Sequence, residues 1–168
     1  EAIRKLELEG LVLMIPRKGA EVAEITEKNL RDVLEVRGAL EELAVQLACE
    51  RMDKEKLKEP HAAADHFREI LDSDDITAIG EADEAFHDVI FAATDNTRLV
   101  QLLNNLREQM YRYRIEYLKK KECHPQLLEE HAAIMKAIEE HDKEKATQIT
   151  IQHIANQADT VVDTLRHR

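Results

Sequence analysis

From Thr26 to the carboxy terminus only Gly38, Gly80, Pro60 and Pro125 interrupt a run of residues that otherwise tolerate or favour helix. A chain so poor in breakers must bury apolar stripes of helical period, so helix packs on helix. Caps divide the run. Thr26 caps a helix to about Met52, and Asp53 caps a second to about Asp72, which Pro60 kinks or divides. Ser73-Asp74-Asp75 opens a third helix to about Ala93. After the turn Thr94-Asp95-Asn96, the residues Leu99, Leu102, Leu103, Leu106, Met110, Tyr113 and Tyr117 form one stripe, a fourth helix that Lys119 to His124 ends. Pro125 suits the first turn of a fifth helix to about His141, and Asp142 caps a sixth to about Arg166. The expected fold is all-α, an antiparallel bundle of about six helices.

Residues 1–25 differ in character. Ile3 and Leu6 mark a short helix stopped by Gly10, and two apolar runs flank Pro16-Arg17-Lys18-Gly19, the pattern of a β-hairpin. A helix end and a basic-tipped hairpin make the tail of a winged helix-turn-helix, in which Arg4, Lys5, Arg17 and Lys18 face phosphates; equally, they make a helix and hairpin with solvated charges. The net charge of −11 argues against the chain as a whole gripping nucleic acid. Two distant cysteines, Cys49 and Cys123, suggest no disulfide framework, and no apolar run approaches the ~18 residues that would span a bilayer. The expectation is a soluble cytoplasmic chain without a membrane partner.

The informative residues are ionisable ones on apolar stripes, since burying them costs free energy without a partner or metal. Asp83 and His87 are one turn apart on the third helix, about 40° around its axis, with Ile79, Phe86 and Ile90 within about 60° of Asp83. His131 is central to the stripe of Leu127, Leu128, Ile134, Met135 and Ile138. His153 shares an unusually polar face with Ile149, Asn156, Gln157 and Thr160. Together Asp83, His87, His131 and His153 offer three nitrogens and one oxygen from three helices, a set suited to zinc, nickel or another late divalent ion. Each has a plainer alternative: a hydrogen-bonded core histidine, or an Asp and His satisfying each other. His61, His66, His124 and His141 read as surface groups. Arg37, among Leu30, Val33, Leu40 and Ala44, either pairs with Glu41 or receives a ligand's carboxylate.

These residues resemble the GntR superfamily of bacterial transcription regulators, in the FadR-like subfamily with a helical FCD ligand domain. Glu1 to Val12 and Pro16-Arg17-Lys18-Gly19-Ala20 look like the end of its recognition helix and its wing, and Leu34 to Glu41 is similar to the first effector-domain helix. Asp83-Glu84-Ala85-Phe86-His87 matches its D-x-x-F-H motif, and Glu130-His131 and His153 fall where its later metal-binding histidines are expected. The resemblance implies a remnant of the DNA-reading domain over residues 1–25 and an effector- and metal-binding domain over 26–168, as part of a longer regulator. It implies a metal on Asp83, His87, His131 and His153, a small organic acid bound by Arg37 with Asn156 nearby, a homodimer, and operator DNA as partner of the intact protein.

A metal-dependent bundle enzyme and a purely structural dimerisation domain are the alternatives. Against the enzyme, only Glu84 and His87 make a Glu-x-x-His pair where a di-iron site needs two. Asp88 of the doublet His87-Asp88 projects about 140° from Asp83, and no nucleophile constellation or phosphate loop is present. The chain is therefore expected to be no enzyme.

Overall fold

The computed structural model describes residues 1–53 and 55–167. Helix α1 (Ala2–Leu8) ends at Gly10, whose φ of +70° suits a residue without Cβ. The Leu11 N–H bonds to the Leu6 carbonyl and the Gly10 N–H to that of Glu7, the paired bonds of a Schellman stop, with Leu6 and Leu11 at its apolar contact positions. Strands β1 (Val12–Ile15) and β2 (Gly19–Val22) then pair antiparallel, Val12 opposite Val22 and Ile15 opposite Gly19.

The helical body begins at α2 (Glu27–Arg51), where the Thr26 hydroxyl accepts the Asn29 N–H at 3.2 Å. Asp53 caps a turn, accepting the Glu55 and Lys56 N–H groups, and α3 (Lys58–Ile70) starts beyond it. Pro60 therefore sits in the first turn of α3, where its missing N–H costs nothing, and neither kinks nor divides a helix. Asp75 accepts two N–H groups at the head of α4 (Ile76–Ala93). Asn96 caps α5 (Thr97–Asn105).

The fourth sequence stripe is two helices, not one. Helix α5 tightens at Leu106, whose N–H bonds to the Leu103 carbonyl three residues back, and α6 (Arg107–Leu118) follows. Asn104 and Asn105 are weak helix formers, and their side chains compete for local hydrogen bonds; Asn104 accepts from Arg107 at 2.8 Å. A short 3-10 turn leads to α7 (His124–Glu139), with Pro125 in its first turn, and Asp142 caps α8 (Lys143–Arg166). Among the described residues the helical body thus has seven α-helices rather than six, in the all-α class expected.

Helices α2, α4, α7 and α8 pack around the interior, with α3 against α4 and α7, and α6 against α4 and α8. Two large apolar clusters and a smaller one of Ala44, Leu99 and Leu103 form the core. The first large cluster holds Phe67, Tyr117 and Leu127; the second holds Phe86, Ile90, Ile134 and Ile138. Burying each such side chain contributes about 1.5–3 kcal/mol. Phe67 of the first cluster and Phe86 of the second both touch the His131 ring, so polar groups lie where the clusters meet.

Candidate metal and effector site

The acids, imidazoles and guanidinium picked out by their stripes are all buried: Arg37, Asp83, His87, His131 and His153 are each at most 3% exposed. Asp83 and His87 come from α4, His131 from α7 and His153 from α8. Their ring centroids form a nearly equilateral triangle: His87 to His131 5.3 Å, His87 to His153 5.4 Å, His131 to His153 5.3 Å. One ligating atom from each histidine lies within 4.8 Å of those of the other two. Asp83 joins them, its Oδ1 3.4 Å from His131 Nε2.

The hydrogen bonding leaves lone pairs turned inward. His153 Nδ1 is 2.7 Å from Glu130 Oε2, so the carboxylate accepts the Nδ1 proton and leaves Nε2 as the acceptor, 3.1 Å from the Gln157 amide nitrogen. His87 Nε2, both nitrogens of His131 and both oxygens of Asp83 have no hydrogen-bond partner. Burial, reinforced by the neighbouring imidazoles and by Arg37 and Arg114, pushes His87 well below the usual histidine range. Burial likewise takes His131 down to about 3, although Asp83 and Glu130 favour its charged form. Burial raises the Glu130 carboxyl, but hydrogen bonds from His153, Asn156 and Gln126 outweigh it and keep the group below its ordinary value. Imidazole nitrogens facing a carboxylate are a donor set suited to a divalent cation.

Arg37 pairs with Glu41, the first of its two sequence readings. Its Nε donates to Glu41 and its Nη1 to Gln157 Oε1 at 3.0 Å, while Nη2 has no hydrogen bond. Asn156 donates to Glu130 and accepts from Gln152 at 2.8 Å, outside the lining of the cavity that His87 borders. That cavity, of about 30 Å³, is bounded by Arg37, Glu41, His87, Arg107, Met110 and Arg114.

Three residues of the site were not singled out from sequence. Arg114, 8% exposed, places Nε 2.7 Å from Asp83 Oδ2. It lies four residues after Met110 and three before Tyr117, so it falls on an apolar stripe as Arg37 does, and that signal could have found it. Arg107 pairs with Glu84 and Asp88 at the rim. The role of Glu130 depends on its partner on α8, so its position beside His131 alone could not reveal it. Of the histidines expected at the surface, His61, His66 and His141 are exposed, but His124 is buried, with Nε2 2.8 Å from the Leu118 carbonyl. A ring that satisfies the end of α6 has no need of solvent. Arg4, Lys5, Arg17 and Lys18 are all exposed on α1 and the hairpin.

Residues 32–156 match the FCD domain. The chain is 28% identical over 167 residues to the HTH-type transcriptional repressor GlaR of Escherichia coli (strain K12), covering 92% of this chain and 74% of that protein. Its fold is similar to that of E. coli McbR/YncC, with a TM-score of 0.86 at 17% identity over 97% of this chain and 82% of the other. It is also similar to a GntR-family transcriptional regulator of Pseudomonas syringae pv. tomato str. DC3000, with a TM-score of 0.65 at 25% identity over 98% and 68% of the two chains. Its relatives are named as transcriptional regulators and repressors, so the enzyme alternative falls away. No helix among the described residues is long and apolar enough to cross a membrane. With its helical body matched over that span and its relatives so named, the chain belongs to the FCD-domain family of GntR transcription regulators.

Proposed function

We propose that this chain is the sensing part of a cytoplasmic regulator, in which residues 26–168 bind a divalent ion and a small carboxylic acid. The carrying observation is the set of three buried imidazoles from three helices, with ligating atoms within 4.8 Å of one another and Asp83 alongside. Asp83, His87, His131 and His153 would hold the ion, with zinc or nickel matching three nitrogens and one oxygen. A bound divalent ion would supply positive charge for the acid's carboxylate, which is expensive to bury alone. Arg37, with Nη2 uncommitted, would fix the carboxylate's orientation. Asn156 would act one step back, by steadying the Glu130 carboxylate that orients His153.

Residues 1–25 fit the end of a recognition helix and a wing, with Arg4, Lys5, Arg17 and Lys18 as phosphate contacts. The intact regulator would bind operator DNA as a homodimer, and the acid would shift operator affinity by its difference in affinity between two arrangements of the dimer. A purely structural bundle has no use for three buried imidazoles and a carboxylate gathered in its core, and apolar residues there would pack at lower cost.

Metal analysis of the purified chain tests the reading. About one divalent ion per chain is expected for the wild type and far less for His131→Ala and His153→Ala; equal content in all three removes the chelate. With metal bound, a small carboxylate should raise the melting temperature of the wild type, and Arg37→Ala should abolish the rise.

A further inference from the structure

We infer that the acid sensed here is a small dicarboxylate, with Arg114 holding its second carboxylate. This rests on the sensor reading above and adds the chemical class of the effector.

Of the three arginines lining the cavity, Arg107 sits at the rim and two lie inside, Arg37 from α2 and Arg114 from α6. Both are more than nine-tenths buried, and each spends part of its fork on a protein acid: Arg37 on Glu41, Arg114 on Asp83. Each also keeps one terminal nitrogen without a hydrogen bond, Nη2 of Arg37 and Nη1 of Arg114. The nearest acid to the latter nitrogen is Glu84, at 3.7 Å, too far for a hydrogen bond. Guanidinium donors buried without acceptors carry a standing cost that an anionic ligand removes. One carboxylate oriented by Arg37 leaves the donor on Arg114 unserved.

The rim acids Glu84 and Asp88 are engaged by Arg107. At about 30 Å³ the cavity holds no diacid as it stands. The Arg107 contacts span α4 and the α5–α6 junction, and they are the ones that would part to admit it.

Calorimetric titration of the metal-loaded chain with malonate and succinate, against propanoate, butanoate and inorganic phosphate, tests this. The diacids should bind about ten- to a hundredfold more tightly than the monoacids, the gain expected from one charge-assisted contact. In Arg114→Gln, with metal content measured in the same sample, that ratio should collapse towards one while monoacid binding persists. Monoacids binding as tightly as diacids, or phosphate binding more tightly than either, would overturn the dicarboxylate and leave a metal-dependent sensor in place. Failure of every acid to bind the metal-loaded wild type would overturn the sensor reading and this inference together. The wild-type series decides the matter even if Arg114→Gln does not fold.

Discussion

Glu130 shows how much of this site depends on residues that would never touch a ligand. Its carboxylate accepts the Nδ1 proton of His153, and donors on Asn156 and Gln126 hold it in place. The His153 tautomer, and hence the direction of its lone pair, follows from that bond. Glu130→Gln keeps the size but replaces an anionic acceptor with an amide that offers one oxygen. Metal affinity, measured by competition with a chelator, should fall about 10- to 100-fold. Glu129→Gln, at an exposed neighbouring position, should leave it unchanged. Equal affinities in both variants would mean that Glu130 does not orient the ring.

At the level of elements, two glycines in long helices separate intrinsic helix preference from packing. Gly38 lies inside α2 with nothing within 4 Å of where a Cβ would sit, so Gly38→Ala should stabilise the chain by about 0.5–1 kcal/mol. Gly80 lies where α4 meets α6, and a Cβ there would come 2.8 Å from Ile115 Cδ1. Gly80→Leu should cost about 1–3 kcal/mol by overpacking. Urea unfolding at fixed metal concentration checks both, and a stabilised Gly80→Leu would show that α4 and α6 do not approach as closely as described. The element boundaries that local chemistry controls were legible: Thr26, Asp75 and Asp142 each cap the helix assigned to them, and Gly10 stops α1. The break at Leu106 was not, because its apolar stripe runs on across it while only the weak helix formers Asn104 and Asn105 mark the place. His124 escaped for a related reason: its partner is a carbonyl released by the end of α6, and a sequence pattern does not show where that carbonyl points. Asp83, His87, His131 and His153 were legible because a polar residue on a buried stripe is conspicuous in any single helix. Their meeting is a property of packing.

For the whole molecule, that meeting places a cost on the fold that pH exposes. His87 and His131 are held uncharged in the folded chain, chiefly by burial, whereas in the unfolded chain they titrate near the ordinary value of about 6.5. Below that value the unfolded chain takes up protons that the folded chain refuses, so its free energy drops relative to the fold. The stability due to their neutral forms is fully present above about pH 6.5 and is lost as pH falls towards the depressed folded values, reaching about 3 for His131. Each residue contributes a slope of up to about 1.4 kcal/mol per pH unit in that window. The metal-free chain, unfolded by urea in the presence of a chelator, should therefore lose roughly 2 kcal/mol between pH 7 and 5.5, before carboxylate titration dominates. His131→Leu, which removes one of the two groups and keeps an apolar filling, should show about half the slope. With metal bound the decline should be steeper, since protons then also compete with the ion for the same nitrogens. Stability of the metal-free wild type that is flat across this range would mean that solvent reaches the imidazoles, and the dry, neutral donor set on which metal and acid binding depend would not exist.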